Sequence, residues 1–181
     1  MSALPPLRTL PLLLAAGLAA SAAWAAPAAT DKAAVARFLD TAGPICQRQP
    51  AAVCIDSGWR FTDTNGDDRI DAQELRGRYR DLSAWYAAEQ ASLDANSQAM
   101  LALGLWMTSI VGIDDLVASY DTDGDGRLTR DEALADVTLD ERPLGSLLMD
   151  PKAVDREAFA KRLGAAAPFL KGLFGTERPA D

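Results

Sequence analysis

Past residue 30, apolar positions recur at helical spacing almost to the end of the chain. Asp31 reads as an N-cap, with Val35, Phe38 and Leu39 on one face and Gly43 as the stop of a small N-terminal helix. Pro50 suits the first turn of a second helix that carries Ile55, Trp59 and Phe61 toward Asp63. A third is expected from about Ala72, with Leu75, Tyr79, Leu82, Tyr86 and Leu93 as its stripe and Trp85 beside it. Ile113, Leu116, Val117 and Tyr120 then mark a helix running into Asp121, followed by a thin stripe of Ala133 and Val137. The fold class is all-α.

Residues 95–113 break the amphipathic pattern, with nineteen positions and no charge. Met100, Leu101, Leu103, Leu105, Trp106, Met107, Ile110 and Val111 surround the helix instead of lining one side. A helix apolar all round is ordinarily buried, so a central core helix is the first reading. A surface for a partner or a second copy is the next. A membrane span is the third, although Asn96, Ser97 and Gln98 shorten the apolar part to about fifteen residues, below the roughly twenty that a span needs.

Two twelve-residue segments between these helices carry the chemistry. Asp121 to Glu132 reads DTDGDGRLTRDE, with side-chain oxygens at positions 1, 3, 5, 9 and 12: Asp121, Asp123, Asp125, Thr129 and Glu132. Asp63 to Glu74 reads DTNGDDRIDAQE, with Asp63, Asn65, Asp67, Asp71 and Glu74 at the same positions. Position 7, Arg69 or Arg127, offers its backbone carbonyl, and the position-12 glutamate offers both carboxylate oxygens. Such a set suits a hard cation taking six to eight oxygens at roughly 2.3–2.6 Å, and it favours calcium over the stricter octahedron of magnesium. Four crowded carboxylates repel one another unless a cation lies between them.

This pattern resembles the EF-hand family of helix–loop–helix calcium proteins. Ile70 and Leu128 stand at position 8, where the family joins paired loops through a short two-stranded contact. The resemblance implies a hand over about 51–85, a second over about 110–138, an extra apolar helix between them, and two bound Ca2+ ions. The loops start at 63 and 121, 58 residues apart, which is longer than a compact pair needs. One form of the core reading places the inserted helix in the groove made by the chain's own two hands. Gly126 fills the sharp turn at position 6 of the second loop, whereas Asp68 stands there in the first. Asp tolerates positive φ at a cost of about 1 kcal/mol, so the first loop is expected to bind more weakly. Asp150 to Phe159 resembles the second half of a further loop, a degenerate half-hand over 147–162. Val154 falls at position 8 and Asp155 at position 9, but Leu147 and Ala158 stand at positions 1 and 12, so no metal is expected there.

The ends and the composition set the compartment. Arg8, the apolar stretch Leu10 to Ala20, and Ala23-Trp24-Ala25 read as a signal peptide cleaved near Ala25/Ala26, giving a periplasmic or secreted protein with no membrane anchor after processing. Residues 26–30 form a leader, 31–175 a single helical domain and 176–181 a tail. Phe169, Leu170, Leu173 and Phe174 look like a latch onto the core. Cys46 and Cys54, eight apart and bound for an oxidising space, are read as a disulfide. Pro44 and Pro50 are placed in the turn between them.

Loss of Arg8 leaves 17 basic against 26 acidic residues, a charge of −9 that two calcium ions bring to −5. Nucleic-acid binding is disfavoured by that balance. The chain holds no histidine, which removes Ser-His-Asp and Cys-His catalysis and histidine zinc ligands. Carboxylates outside the loops, such as Asp114, Asp115, Glu141 and Glu157, show no spacing that selects an acid/base pair. The expectation is an exported protein that binds calcium in a structural or regulatory role without catalysis; the alternatives are a calcium-ordered adaptor for an unidentified envelope or extracellular partner and, behind it, an enzyme whose calcium is structural.

Overall fold

The structure, a computed structural model, describes residues 30–162 and 164. The segments expected to form the signal peptide, most of the leader, the apolar latch and the tail lie outside the described residues. Helix α1 (Lys32–Arg48) opens on Asp31, whose carboxylate accepts the Ala34 N–H at 2.8 Å. It does not stop at Gly43. That glycine is not among the positive-φ residues, and Pro44 continues the helix at the expense of one backbone bond. The stop comes at Gln49, whose extended backbone (φ −93°, ψ 160°) leads into Pro50 as the N-cap of α2 (Ala51–Thr62). The added turn carries Cys46 to Cys54 on α2, with Cα atoms 4.6 Å apart and the disulfide closed. Pro44 therefore belongs to the helix, and the turn lies at 49–50.

Alpha-helix α1 is fastened across α2 as well. Phe38 stacks on Phe61 with centroids 4.2 Å apart. The Arg78 guanidinium lies 4.2 Å from the Phe61 centroid, and its Nε donates to the Phe61 carbonyl at 2.6 Å. A cation thus meets the carbonyl end of α2, where the helix dipole favours it.

After α2 the chain forms a loop, the two-residue strand β1 (Ile70–Asp71) and α3 (Ala72–Glu89). The same order recurs as α5 (Ile113–Tyr120), a loop, β2 (Arg127–Leu128) and α6 (Arg130–Ala133). The strands pair antiparallel, Ile70 opposite Leu128 and Asp71 opposite Arg127, which sets the loops side by side. Beneath them Trp59, Ile70, Val117, Tyr120 and Leu128 form a buried cluster. Each side chain contributes about 1.5–3 kcal/mol by leaving water.

Alpha-helix α4 (Ala95–Val111) connects the two halves, capped by Asp94 through the N–H groups of Asn96 and Ser97, each at 3.0 Å. Gly112, at φ 82°, ends it and turns α5 by 81°, so the second helix–loop–helix begins at Ile113. None of its residues is fully buried, and Met100 and Trp106 remain 63% and 42% exposed. Uniform apolarity reports the preference for leaving water but not which neighbours cover each side, and here the cover is partial. Alpha-helix α4 forms one wall of an apolar cavity of about 430 Å³, facing Phe38, Phe61, Leu82 and Leu116 across it. It lines this groove without filling it. Among the described residues no single helix is long and apolar enough to cross a membrane.

The last third folds back on α2 and α5. Val154 bridges Val137 antiparallel, flanked by Thr138 N–H to the Ala153 carbonyl (2.7 Å) and Asp155 N–H to the Asp136 carbonyl (2.8 Å). Leu147, in α7 (Leu144–Leu148), is fully buried with Ala51 and Ala153. Alpha-helix α8 (Arg156–Arg162) rests on α5, and its Arg162 Nε donates to the buried Asp136 at 3.1 Å. Asp136 also accepts the Tyr120 hydroxyl at 2.8 Å. Tyr120 closes α5 immediately before the second loop.

Candidate metal centre

The two loops are built alike, position for position. At position 1, Asp63 accepts the N–H groups of Gly66 (2.7 Å) and Asp68 (2.9 Å), and Asp121 those of Gly124 (2.8 Å) and Gly126 (2.8 Å). At position 3, Asn65 accepts from Asp67 N–H at 2.8 Å and Asp123 from Asp125 N–H at 3.1 Å. At position 5, Asp67 accepts from Arg69 N–H at 3.0 Å and Asp125 from Arg127 N–H at 2.9 Å. These bonds wind the two loops in the same way.

The position-12 glutamates close the loops. Glu74 accepts from Thr64 N–H (2.7 Å), the Thr64 hydroxyl (2.9 Å) and Asp71 N–H (3.2 Å). Glu132 accepts from Thr122 N–H and hydroxyl (both 2.8 Å) and from Thr129 N–H and hydroxyl (2.9 and 2.8 Å). The Thr129 and Thr122 backbone donors, with the two hydroxyls, hold the Glu132 carboxyl down at about 2. It is therefore an anion throughout the physiological range. Asp71 and Thr129, at position 9, are also the N-caps of α3 and α6, each in a reciprocal capping box with its glutamate.

Carboxylate oxygens of Asp121, Asp123 and Glu132 lie within 4.8 Å of one another, and this is the one such group of three among the described residues. Ligands on opposite sides of an ion at 2.3–2.6 Å stand about 5 Å apart, so the trio matches the span of one cation. The donors are oxygen only, which suits calcium and not the softer transition metals. Asp125 turns its outer oxygen to the Arg69 guanidinium. In the first loop Asn65 replaces a carboxylate at position 3, and Asp63, Asp67 and Glu74 do not close into a comparable group.

At position 6, Asp68 adopts φ 60° where Gly126 has φ 80°. Its carboxylate is paired with Arg130 Nη2 at 2.8 Å, and Arg130 Nη1 meets Asp56 at 2.5 Å. The Arg130 hydrogen bond, followed by the nearby Arg60 charge, holds the Asp56 carboxyl below its ordinary range. Thr64 and Thr122, the left-handed Gly66 and Gly124, and the guanidinium groups of Arg69 and Arg127 lie outside the oxygen pattern that the sequence displays. A signal was present, because each pair occupies the same loop position twice.

No family model, curated protein or solved structure matches the chain.

Proposed function

We propose that this is an exported, non-catalytic calcium-binding protein of the EF-hand type, holding one Ca2+ in each loop. The observation that carries the reading is the repeated hydrogen-bond frame, which ties down the side chains of positions 1, 3, 5, 9 and 12 alike in both loops about a paired β1–β2 contact. In the first loop the ligands are Asp63, Asn65, Asp67, the Arg69 carbonyl, Asp71 and Glu74. In the second they are Asp121, Asp123, Asp125, the Arg127 carbonyl, Thr129 and Glu132. Calcium supplies the positive charge that offsets the clustered carboxylates. The chain supplies their order, through backbone N–H groups and the three threonine hydroxyls of Thr64, Thr122 and Thr129. The Cys46–Cys54 bridge accords with an oxidising compartment.

Isothermal titration of the processed protein with calcium tests the reading. Two ions per chain are expected, with weaker or no response to magnesium. Absence of uptake at millimolar calcium rejects it. A second reading, a calcium-ordered adaptor for another protein, draws on the exposed Met100 and Trp106 beside the apolar cavity. Solution mass measured with and without calcium separates an associating protein from a self-contained monomer.

A further inference from the structure

The two loops exchange counter-ions. Arg69, at position 7 of the first loop, places its guanidinium on the outer oxygen of Asp125, at position 5 of the second. Arg127, at position 7 of the second, reaches Asp67 at position 5 of the first, Nη1 to Oδ2 at 2.5 Å. The strand register that sets Asp71 opposite Arg127 produces this crossing.

We propose that Arg69 and Arg127 are crossed charge-balancing residues. Each partly neutralises a ligand carboxylate of the opposite loop, holding calcium affinity down there while bracing the two loops together. This rests on the calcium reading above. Two effects compete when an arginine is removed, the loss of orientation of its aspartate and the loss of a like charge near the cation. Orientation survives, because Asp67 and Asp125 keep their bonds from Arg69 N–H and Arg127 N–H in their own loops. Charge therefore decides. A unit charge about 6–7 Å from a divalent ion is worth on the order of a tenfold change in affinity in water, less once salt screens it. A side-chain change also leaves the position-7 carbonyl in place.

The test uses Arg127→Gln and Arg69→Gln in the full processed chain. Calcium is titrated while the amide resonances of Gly66 and Gly124 report the loops separately. Arg127→Gln is expected to tighten the first loop about three- to tenfold and to leave its own second loop within about twofold. Arg69→Gln is expected to give the mirror result. Unfolding in chelator supplies an independent readout, where the double variant is expected to melt about 2–4 °C lower as the loops lose their braces. Tightening confined to the arginine's own loop, or weakening of the opposite loop, overturns the proposal. An unchanged melting point in chelator overturns the bracing. If the unsubstituted protein takes up no calcium, the calcium reading and the affinity half both fall, while the melting comparison still decides whether the pairs join the loops.

Discussion

Asp136 is the place where one substitution should expose the wiring of the second half. Its side chain is 4% exposed and accepts the Tyr120 hydroxyl at 2.8 Å and Arg162 Nε at 3.1 Å. Removing one partner of a buried pair ordinarily costs about 3–5 kcal/mol. Arg162 is 26% exposed, keeps its Nη1 bond to the Ser119 carbonyl at 2.6 Å, and lies 4.7 Å from the Tyr120 ring centroid, so part of that penalty is relieved. Asp136→Ala should therefore cost about 2–3 kcal/mol. Tyr120→Phe leaves the carboxylate its arginine and should cost about 1–1.5 kcal/mol. Arg162→Met strands the deeper charge and should cost at least as much as Asp136→Ala. Urea unfolding at neutral pH measures all three. Because Tyr120 adjoins Asp121, Asp136→Ala should also weaken calcium binding in the second loop and spare the first. A loss under about 1 kcal/mol for Asp136→Ala, or equal losses for it and Tyr120→Phe, would refute the reasoning.

Alkaline titration probes the same hub. Burial, and then the Asp136 hydrogen bond, push the Tyr120 hydroxyl above its ordinary 10.0. Between the unfolded and the raised folded value the native chain binds the extra proton, so stability falls as pH rises above about 10. Absorbance near 295 nm should show one of the three tyrosines ionising only with unfolding, a step that Tyr120→Phe removes. Replacing Cys46 and Cys54 by Ser should cost about 2–3 kcal/mol, measured by chemical unfolding, since the bridge closes a short loop between α1 and α2. At position 6 of the first loop, Asp68→Gly exchanges a left-handed backbone cost of about 1 kcal/mol for an exposed ion pair worth about 0–1 kcal/mol. With calcium saturating, melting points should fall in the order Gly at or above Asp, then Asn, then Ala; Ala at or above Asp would contradict the assigned backbone cost.

What the sequence showed plainly was local. The spacing of oxygen-bearing side chains within twelve residues, a position-8 aliphatic in each loop, and an Asp N-cap before Lys32 all depend on neighbours a few residues away. The end of α1 was misread because Gly43-Pro44 is a common stop, and only the tertiary demand that Cys46 meet Cys54 shows why the helix goes on. The position of α4 was misjudged for a different reason, since an uncharged helix states a preference but not its neighbours. Arg69, Arg127 and Arg130 were invisible as partners because their contacts span 56 to 74 residues and follow from the β1–β2 register. The Asp136 hub joins residues 16 and 26 apart, beyond any helical period.

The two halves also divide their strengths unequally. By its oxygen-bearing side chains the second loop is the better furnished, with Asp123 and Gly126 where the first has Asn65 and Asp68, and with the one closed trio of carboxylates among the described residues. By its scaffold the first is the better, because its exit helix α3 runs 18 residues while α6 runs four. A four-residue helix cannot brace α5 alone. Its place is taken by the folded-back segment, through Val137–Val154, Asp155 N–H on the Asp136 carbonyl, and Arg162 on Asp136 and Ser119. Ranking the loops by counting carboxylates therefore captures only their chemistry. How firmly the second loop holds its shape depends on a segment thirty residues farther along, and the reciprocal arginines tie that support to the first loop as well.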